Sequence, residues 1–484
     1  MAATVTSTEV KEQLRARFAG KRLNEVPTPS VVLDLAKLEV NCQRMLEATD
    51  RLGLLWRAHI KSHKTTELTR LQVGDSLGAP VSLIVSTILE AENILPLLKE
   101  YQSRGRPVNV LFSFPLFPTA VDRLAAFTAA LGGDSLSVMI DHPSQLQPLA
   151  AITRASTHRP LVFLKIDTSY GRAGVAPPPS SSSSGSGSGS GGGACAELVD
   201  AVLAAERAGT CVLHGVYSHA GHSYAARDGL DDVLGYLERE FAGLAEVARL
   251  IEAKRKEKEK EKKLVLSVGA TPTAMVVQHG GFLEDSQGSR MGEVKKLVER
   301  LRQEGFALEV HAGVYPTLDL QQLATHARDA SLMTADDIAI SVVAEVASLY
   351  PGRGTNGTTE ALINAGTLAL GREPVADKGK VPGHDYSGWG LLMPWGLKNP
   401  LPGPEFPRVH QGWQVGRISQ EHGILVWQGK REDEVPLCYG QRVRVWPNHS
   451  CITGACFDWY LVVDSRNTGR EDEVIDVWPR WRGW

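Results

Sequence analysis

Arg57-Ala58-His59-Ile60-Lys61-Ser62-His63-Lys64-Thr65 follows the apolar run Leu54-Leu55-Trp56 and leads into a helix-forming run, Thr65-Thr66-Glu67-Leu68. Side chains alternate faces along a strand. Trp56, Ala58 and Ile60 therefore share one face, and Arg57, His59 and Lys61 share the other. In a barrel strand the apolar set packs under outer helices. The polar set points into the barrel mouth, where barrel enzymes keep their chemistry. A lysine there, among other cations, is a residue that forms Schiff bases. The plainer reading of the same residues is a solvated basic turn.

Outward from that stretch, residues 30 to 325 alternate short apolar runs with helical segments. Strands are expected at 30–34, 54–61, 83–85, 108–112, 136–140, 161–167, 212–218, 264–268 and 308–311. Helical stretches such as 36–46, 89–99, 120–130 and 294–303 lie between them. Repeated strand–helix units of this number predict an α/β fold, a (β/α)8 TIM-like barrel. An open doubly wound sheet is the competing topology, but no Gly-rich dinucleotide fingerprint follows the first strand. Two tracts interrupt the pattern. Residues 180–193 are almost pure Ser and Gly and read as a flexible insertion. Residues 254–263 are a mixed-charge run and read as a solvated extension of a helix.

After residue 330 the texture changes to short runs of β-formers at 339–343, 414–418, 424–427, 442–445 and 459–463, punctuated by Gly and Pro. This predicts a mainly antiparallel β domain. Residues 30–325 would form the barrel, with insertions at 177–193 and 254–263. Residues 1–29 with 326–484 would form the β domain.

The 484 residues are enough for two or three domains. A net charge of −3 favours neither nucleic acid nor a membrane surface as partner. No apolar run approaches the roughly 20 residues that span a bilayer. The opening Met1-Ala2-Ala3-Thr4-Val5-Thr6 lacks the basic flank and apolar core of a secretory signal. The six cysteines are sparse and without framework spacing, so a reducing compartment, the cytosol, is expected.

Barrel chemistry collects at the C-terminal ends of strands. Those ends read Asp167-Thr168-Ser169-Tyr170-Gly171-Arg172-Ala173-Gly174, then Ser218-His219-Ala220-Gly221-His222-Ser223-Tyr224, Gly269-Ala270-Thr271-Pro272-Thr273 and His311-Ala312-Gly313-Val314-Tyr315. The last two have the make-up of a phosphate cradle: small residues let backbone N–H groups approach an oxygen, and a threonine hydroxyl adds a bond. Each Gly-rich turn alone is more often only a turn. Together with a lysine at an early strand end they describe a pyridoxal phosphate pocket.

These segments resemble the alanine racemase-like pyridoxal phosphate family. The Arg-x-His-x-Lys-x-His-Lys-Thr form looks like the eukaryotic-type D-serine dehydratases and the D-threonine aldolases. The resemblance implies a barrel followed by a β domain. It implies that Lys61, rather than Lys64, carries the cofactor, that Arg172 lies near the pyridoxal 3-oxygen, and that Thr271, Gly313 and Val314 contact phosphate. His219, Tyr224 and Tyr315 complete the expected cofactor pocket. His311 stands where alanine racemases carry an arginine facing the pyridine nitrogen.

In the β domain, Trp446-Pro447-Asn448-His449-Ser450-Cys451-Ile452-Thr453 places His and Cys two residues apart. On an extended strand the two would share a face, and imidazole with thiolate suits zinc. Pro-Asn-His-Ser-Cys resembles the zinc motif of the D-serine dehydratases; D-threonine aldolases usually carry Asp in the Cys position. Cys456 reads as a small core residue rather than a third ligand. The 384–389 loop is a candidate site lining, His422 a turn histidine, and Asn364 stands where relatives are expected to carry Asp.

The resemblance thus implies a lyase using pyridoxal 5'-phosphate and Zn2+ that converts D-serine to pyruvate and ammonia, and D-threonine to 2-oxobutanoate. The alternatives are a metal-dependent D-threonine aldolase and, of another class, a non-catalytic pyridoxal phosphate carrier. The expected partner is a small-molecule D-amino acid, with no nucleic acid and no membrane, and the resemblance implies a homodimer.

Overall fold

The computed structural model describes residues 7–76, 78–178, 191–226, 229–259, 261–282, 288–329, 331–375, 386–408 and 410–484. The chain divides into two compact units. One comprises residues 1–44, 62–71 and 314–482, the other 45–61, 72–313 and 483–484.

The second unit is a closed parallel barrel of eight strands. With β1 at Ser30–Asp34, the barrel strands are β2 Leu55–His59, β3 Val81–Val85, β4 Val108–Pro115, β5 Leu136–Ile140, β6 Leu161–Lys165, β7 Val212–Tyr217, β8 Val265–Val268 and β9 Ala307–Ala312. β9 closes on β2 in parallel register, Arg57 opposite His311. The strands are dominated by branched and aromatic residues, which suit a surface buried on both faces. Ile84, Leu111, Met139, Phe163, Tyr217 and Val265 form one interior cluster. Outer helices have apolar stripes and defined starts. Ile88–Ser103, for example, begins where Thr87 Oγ1 accepts from Glu90 N at 3.3 Å.

The first unit is built on a nine-stranded sheet. Its remaining strands are β10 Ile340–Tyr350, β11 Glu360–Ile363, β12 Gly390–Leu392, β13 Trp413–Ile418, β14 Gly423–Trp427, β15 Arg442–Pro447, β16 Trp459–Val463 and β17 Asp476–Pro479. The order is β11-β14-β13-β12-β15-β10-β1-β16-β17. All neighbours are antiparallel except β1 with β16. One face buries a cluster that includes Val342, Trp413, Leu425, Trp427 and Val445.

Two expectations need correction. The strand at 30–34 does not open the barrel; it pairs with β10 and β16 in the large sheet. The 254–263 tract does not extend the helix, although residues 256, 257 and 261–263 are exposed as a solvated run would be. The helix Leu230–Lys254 stops at its start, Arg255 is buried and donates to Leu213 O at 2.9 Å, and Glu259 pairs with Arg207. Of the Ser/Gly tract, residues 180–190 lie outside the described residues, as do His384 and Asp385, while Gly191–Gly193 open the helix Gly191–Arg207. Among the described residues, no helix is long and apolar enough to cross a membrane.

Candidate active site

Lys61 sits in a single 3-10 turn, Ile60–Ser62, directly after β2. The alternation of the strand carries Arg57 and His59 inward, and both are buried. His59 Nε2 meets Ser86 Oγ at 3.3 Å, and its Nδ1 is buried with no hydrogen-bond partner. Burial, with the charges of Lys61, His311 and Arg172, holds His59 well below the usual histidine range. His219 follows β7 and donates from Nδ1 to Gly269 O at 2.8 Å. Burial and the same cations, Lys61 and Arg172, push it down likewise. His311, on β9, is held down by burial and by Lys165, Arg57 and Lys61. Three neutral imidazoles thus surround the lysine at the C-terminal end of the barrel. Arg172 lies on the exposed side of the same cluster, its guanidinium 5.1 Å from the Tyr170 ring centroid.

The turn after β8 packs tightly against β9. Gly269 has φ +149°, and a Cβ there would stand 2.2 Å from His311 O, so only glycine fits this close approach. Ala270 N donates to Thr273 Oγ1 at 2.9 Å, and Thr271 opens the short helix Thr271–Met275. Gly313 closes the barrel chain after β9. Gly174, after β6, is equally constrained, since a Cβ would lie 2.8 Å from Lys165 O. Tyr224 lies in the 3-10 turn Gly221–Ala225. Val314 and Tyr315 fall in the other unit. There Val314 O accepts from Leu318 N at 2.9 Å, and the buried Tyr315 lies beside Cys42.

Several interior residues escaped the sequence reading. Lys165 shares the inward phase of β6 with Phe163, is buried, and sits 5.0 Å from the Tyr217 ring centroid. Burial and then Arg172 lower it to about 8. Glu240 lies on the buried stripe of the helix Leu230–Lys254 between Leu237 and Leu244. Its Oε1 accepts from Ser218 Oγ (3.0 Å) and Gly269 N (3.2 Å), and its Oε2 from Thr273 Oγ1 (3.2 Å). Burial raises it to about 7 despite those bonds. Glu309 and Arg57 form a fully buried ion pair at 2.8 Å. A charged residue in the inward phase of a strand, or on an apolar helix stripe, was the available signal in each case.

In the other unit, β15 ends at Pro447 and the helix Ser450–Ala455 begins three residues later, with His449 as its N-cap residue. His449 and Cys451 therefore do not share the face of a strand. The turn brings them together instead, their side chains within hydrogen-bonding reach. Burial opposes protonation of His449, yet the charges of Cys451 and Asp319 raise it to about 9. Its Nδ1 is buried and unpartnered. Cys451 Sγ lies 3.3 Å from Ser62 Oγ. The loop is fixed from both sides. Tyr386 Oη donates to Asn448 Oδ1 at 2.9 Å, and Asn448 Nδ2 donates to Gly388 O at 2.9 Å. Asp319 Oδ2 accepts from Ser450 N at 2.8 Å. Cys456 is partly exposed and bonds Ile452 O, so it is neither a core residue nor a partner of this pair. Asn364 bonds Glu345 N and Thr28 Oγ1 within the sheet unit. Among the described residues no group of three or more His, Cys, Asp or Glu forms a metal cluster.

The barrel-mouth residues fit pyridoxal phosphate. A lysine follows an early strand, a short helix opens at Thr271 after a late one, and buried nitrogens of His59 and His311 lack protein partners. His449 and Cys451, whose side chains lie within hydrogen-bonding reach, are an N,S donor pair of the kind zinc accepts.

A closed parallel eight-stranded barrel in a chain that also carries a mainly antiparallel sheet is the alanine racemase-like fold. The model of a "Putative serine dehydratase domain" matches residues 339–463. The D-serine dehydratase of Schizosaccharomyces pombe is 34% identical over 478 residues, 98% of this chain and 96% of its own. The structure of D-threo-3-hydroxyaspartate dehydratase from Delftia sp. HT23 aligns with a TM-score of 0.68 at 25% identity, covering 96% of this chain and all of that one. A cysteine-to-alanine mutant of that dehydratase has been solved in a metal-free form, with the same TM-score. The D-threonine aldolase of Filomicrobium marinum shares the fold, with a TM-score of 0.64 at 20% identity over 95% of this chain and 97% of that one. The chain belongs to the D-serine dehydratase family, enzymes of the lyase class.

Proposed function

We propose that the protein is a pyridoxal 5'-phosphate- and zinc-dependent D-serine ammonia-lyase. The observation that carries the reading is Lys61 at the end of β2 among three buried, uncharged histidines. Similarity along almost the whole chain to a D-serine dehydratase supports the substrate.

Lys61 would hold the cofactor covalently. The turn from Gly269 to Thr271 and Gly313 would receive its phosphate, with Val314 and Tyr315 following in the chain. Arg172 would face its 3-oxygen, and His219, Tyr224 and His311 would complete the pocket. The cofactor supplies an electron sink for a carbanion at the substrate α-carbon. Lys61 Nζ is the base that takes the α-proton. Neutral His59, His219 and His311 leave the negative charge of a phosphate and a substrate carboxylate to be met by Arg172, Lys165 and backbone N–H groups. His449 and Cys451 would hold zinc, which supplies Lewis acidity toward a hydroxyl leaving group. The net change takes D-serine to pyruvate and ammonia.

Incubation with D-serine tests the proposal: pyruvate and ammonia should form in equal amounts. Absence of turnover by protein reconstituted with both pyridoxal phosphate and zinc would overturn it.

A further inference from the structure

His311 carries a polarity that its surroundings dictate. Ser267 Oγ lies 2.6 Å from Glu309 Oε1 and 3.0 Å from His311 Nδ1. Arg57 Nε also donates to Glu309 Oε1, at 2.8 Å. A hydroxyl has one proton to give. The shorter bond, to the carboxylate paired with Arg57, takes it, because charge-assisted bonds are the stronger ones. Ser267 Oγ then has only lone pairs left for His311, so Nδ1 must carry hydrogen. Burial among Lys165, Arg57 and Lys61 keeps the ring neutral, so Nε2 is bare. Nε2 is also buried and has no protein partner. A buried acceptor left unpaired is costly, and a ligand at this mouth would meet it with a donor.

We propose that Glu309, acting through Ser267, fixes His311 in its Nδ1-protonated tautomer, so that Nε2 accepts a hydrogen bond from the protonated ring nitrogen of the bound cofactor. The second half rests on the pyridoxal phosphate reading. Among the polar groups of that ring, a protonated nitrogen is a donor, whereas the phosphate and an ionised 3-oxygen only accept. Glu309 and Ser267 are positioning residues here. Their effect is to keep the ring nitrogen charged, which deepens the electron sink available to a carbanion.

The test begins with protein freed of cofactor and labelled with 15N-histidine, the His311 signals being identified by their loss in His311→Gln. The expected result is a protonated-type shift for Nδ1 and a bare-type shift for Nε2. Ser267→Ala should allow the Nε2-protonated form to appear, and Ser267→Thr should restore the wild-type pattern. An Nε2-protonated or cationic His311 in the wild type overturns the proposal, and this measurement stands even if Ser267→Ala does not fold. The second measurement uses cofactor labelled with 15N in its ring. Its nitrogen should show a protonated-type shift in the wild-type holoenzyme. A bare-type shift there overturns the cofactor half. Failure to bind cofactor at all would instead sink the reading of the pocket, leaving the tautomer result intact.

Discussion

The imidazole of His311 lies face to face with the phenol ring of Tyr217, centroids 4.3 Å apart and planes 10° from parallel. The two side chains project inward from the neighbourhood of β8, one on each flanking strand. The stack fixes the imidazole plane, and Ser267 on β8 then fixes its rotation through Nδ1. His219 and His59 stand in the same cationic surroundings. All three should therefore remain neutral at pH 6.5, where an ordinary histidine is half protonated. NMR titration of labelled histidines is the check; a half-protonated His311 at that pH would contradict the burial argument.

Lys61 and Lys64 offer a clean contrast. Lys61 lies in the inward-facing turn after β2, whereas Lys64 is beyond it, with φ +51°. Lys61→Ala should abolish the long-wavelength visible absorbance of bound cofactor and reduce turnover by at least about a thousandfold, as loss of a covalent catalyst does. Lys64→Ala should keep the absorbance. The reverse pattern would assign the wrong lysine.

His449 and Cys451 cap and open one short helix rather than staple the fold. Metal at such a pair is not expected to hold the sheet unit together. Cys451→Ala and His449→Ala should each lose zinc by elemental analysis and lose elimination activity, while the far-ultraviolet circular dichroism stays unchanged. Zinc retained at wild-type stoichiometry in both variants would place it elsewhere.

Glu240 gives a pH dependence with a definite sign. Its carboxyl is raised from 4.5 to about 7 by burial. A group raised on folding binds its proton more tightly in the native state. Stability is therefore fully present below about pH 4.5 and falls as pH rises towards 7. The shift corresponds to roughly 3 kcal/mol. Lys165 lies among the groups that offset the cost. Glu240→Gln should remove this slope, so denaturant unfolding of wild type and variant should diverge between those pH values, the variant gaining at the higher one. Parallel curves would mean that Glu240 stays ionised throughout.

The eight barrel strands were legible because each is a short run of β-branched and apolar residues set between turn signals and helices. The ninth such run, Ser30–Asp34, looks the same locally, yet its partners are β10 and β16, hundreds of residues away. Apolar content marks a strand but does not name its sheet. His449 and Cys451 do lie within hydrogen-bonding reach, but not on one strand face as the spacing suggested, because Pro447 ends β15 before either residue. The contacts of Lys165, Ser267 and Glu240 were hidden for a different reason. The spacing of Lys165 and Glu240 marks them as buried charges, but their partners depend on which side chains the closed barrel and its helix bring into contact, and the sequence does not name those.

D-threonine distinguishes the two reactions open to a β-hydroxy D-amino acid in one incubation. Elimination yields 2-oxobutanoate and ammonia; retro-aldol cleavage yields glycine and acetaldehyde. The two differ in which bond to the α-carbon breaks. Elimination removes the α-hydrogen and then the hydroxyl, whereas cleavage needs a base on the hydroxyl proton. A thiolate such as Cys451 offsets zinc's charge, which suits the metal to a neutral hydroxyl about to leave. We expect 2-oxobutanoate as the dominant product. Cys451→Asp should weaken zinc binding relative to harder ions, because carboxylate ligands favour them. Glycine as the main product of the wild-type protein would transfer the assignment to an aldolase while leaving the barrel, Lys61 and the His449 and Cys451 pair in their proposed roles.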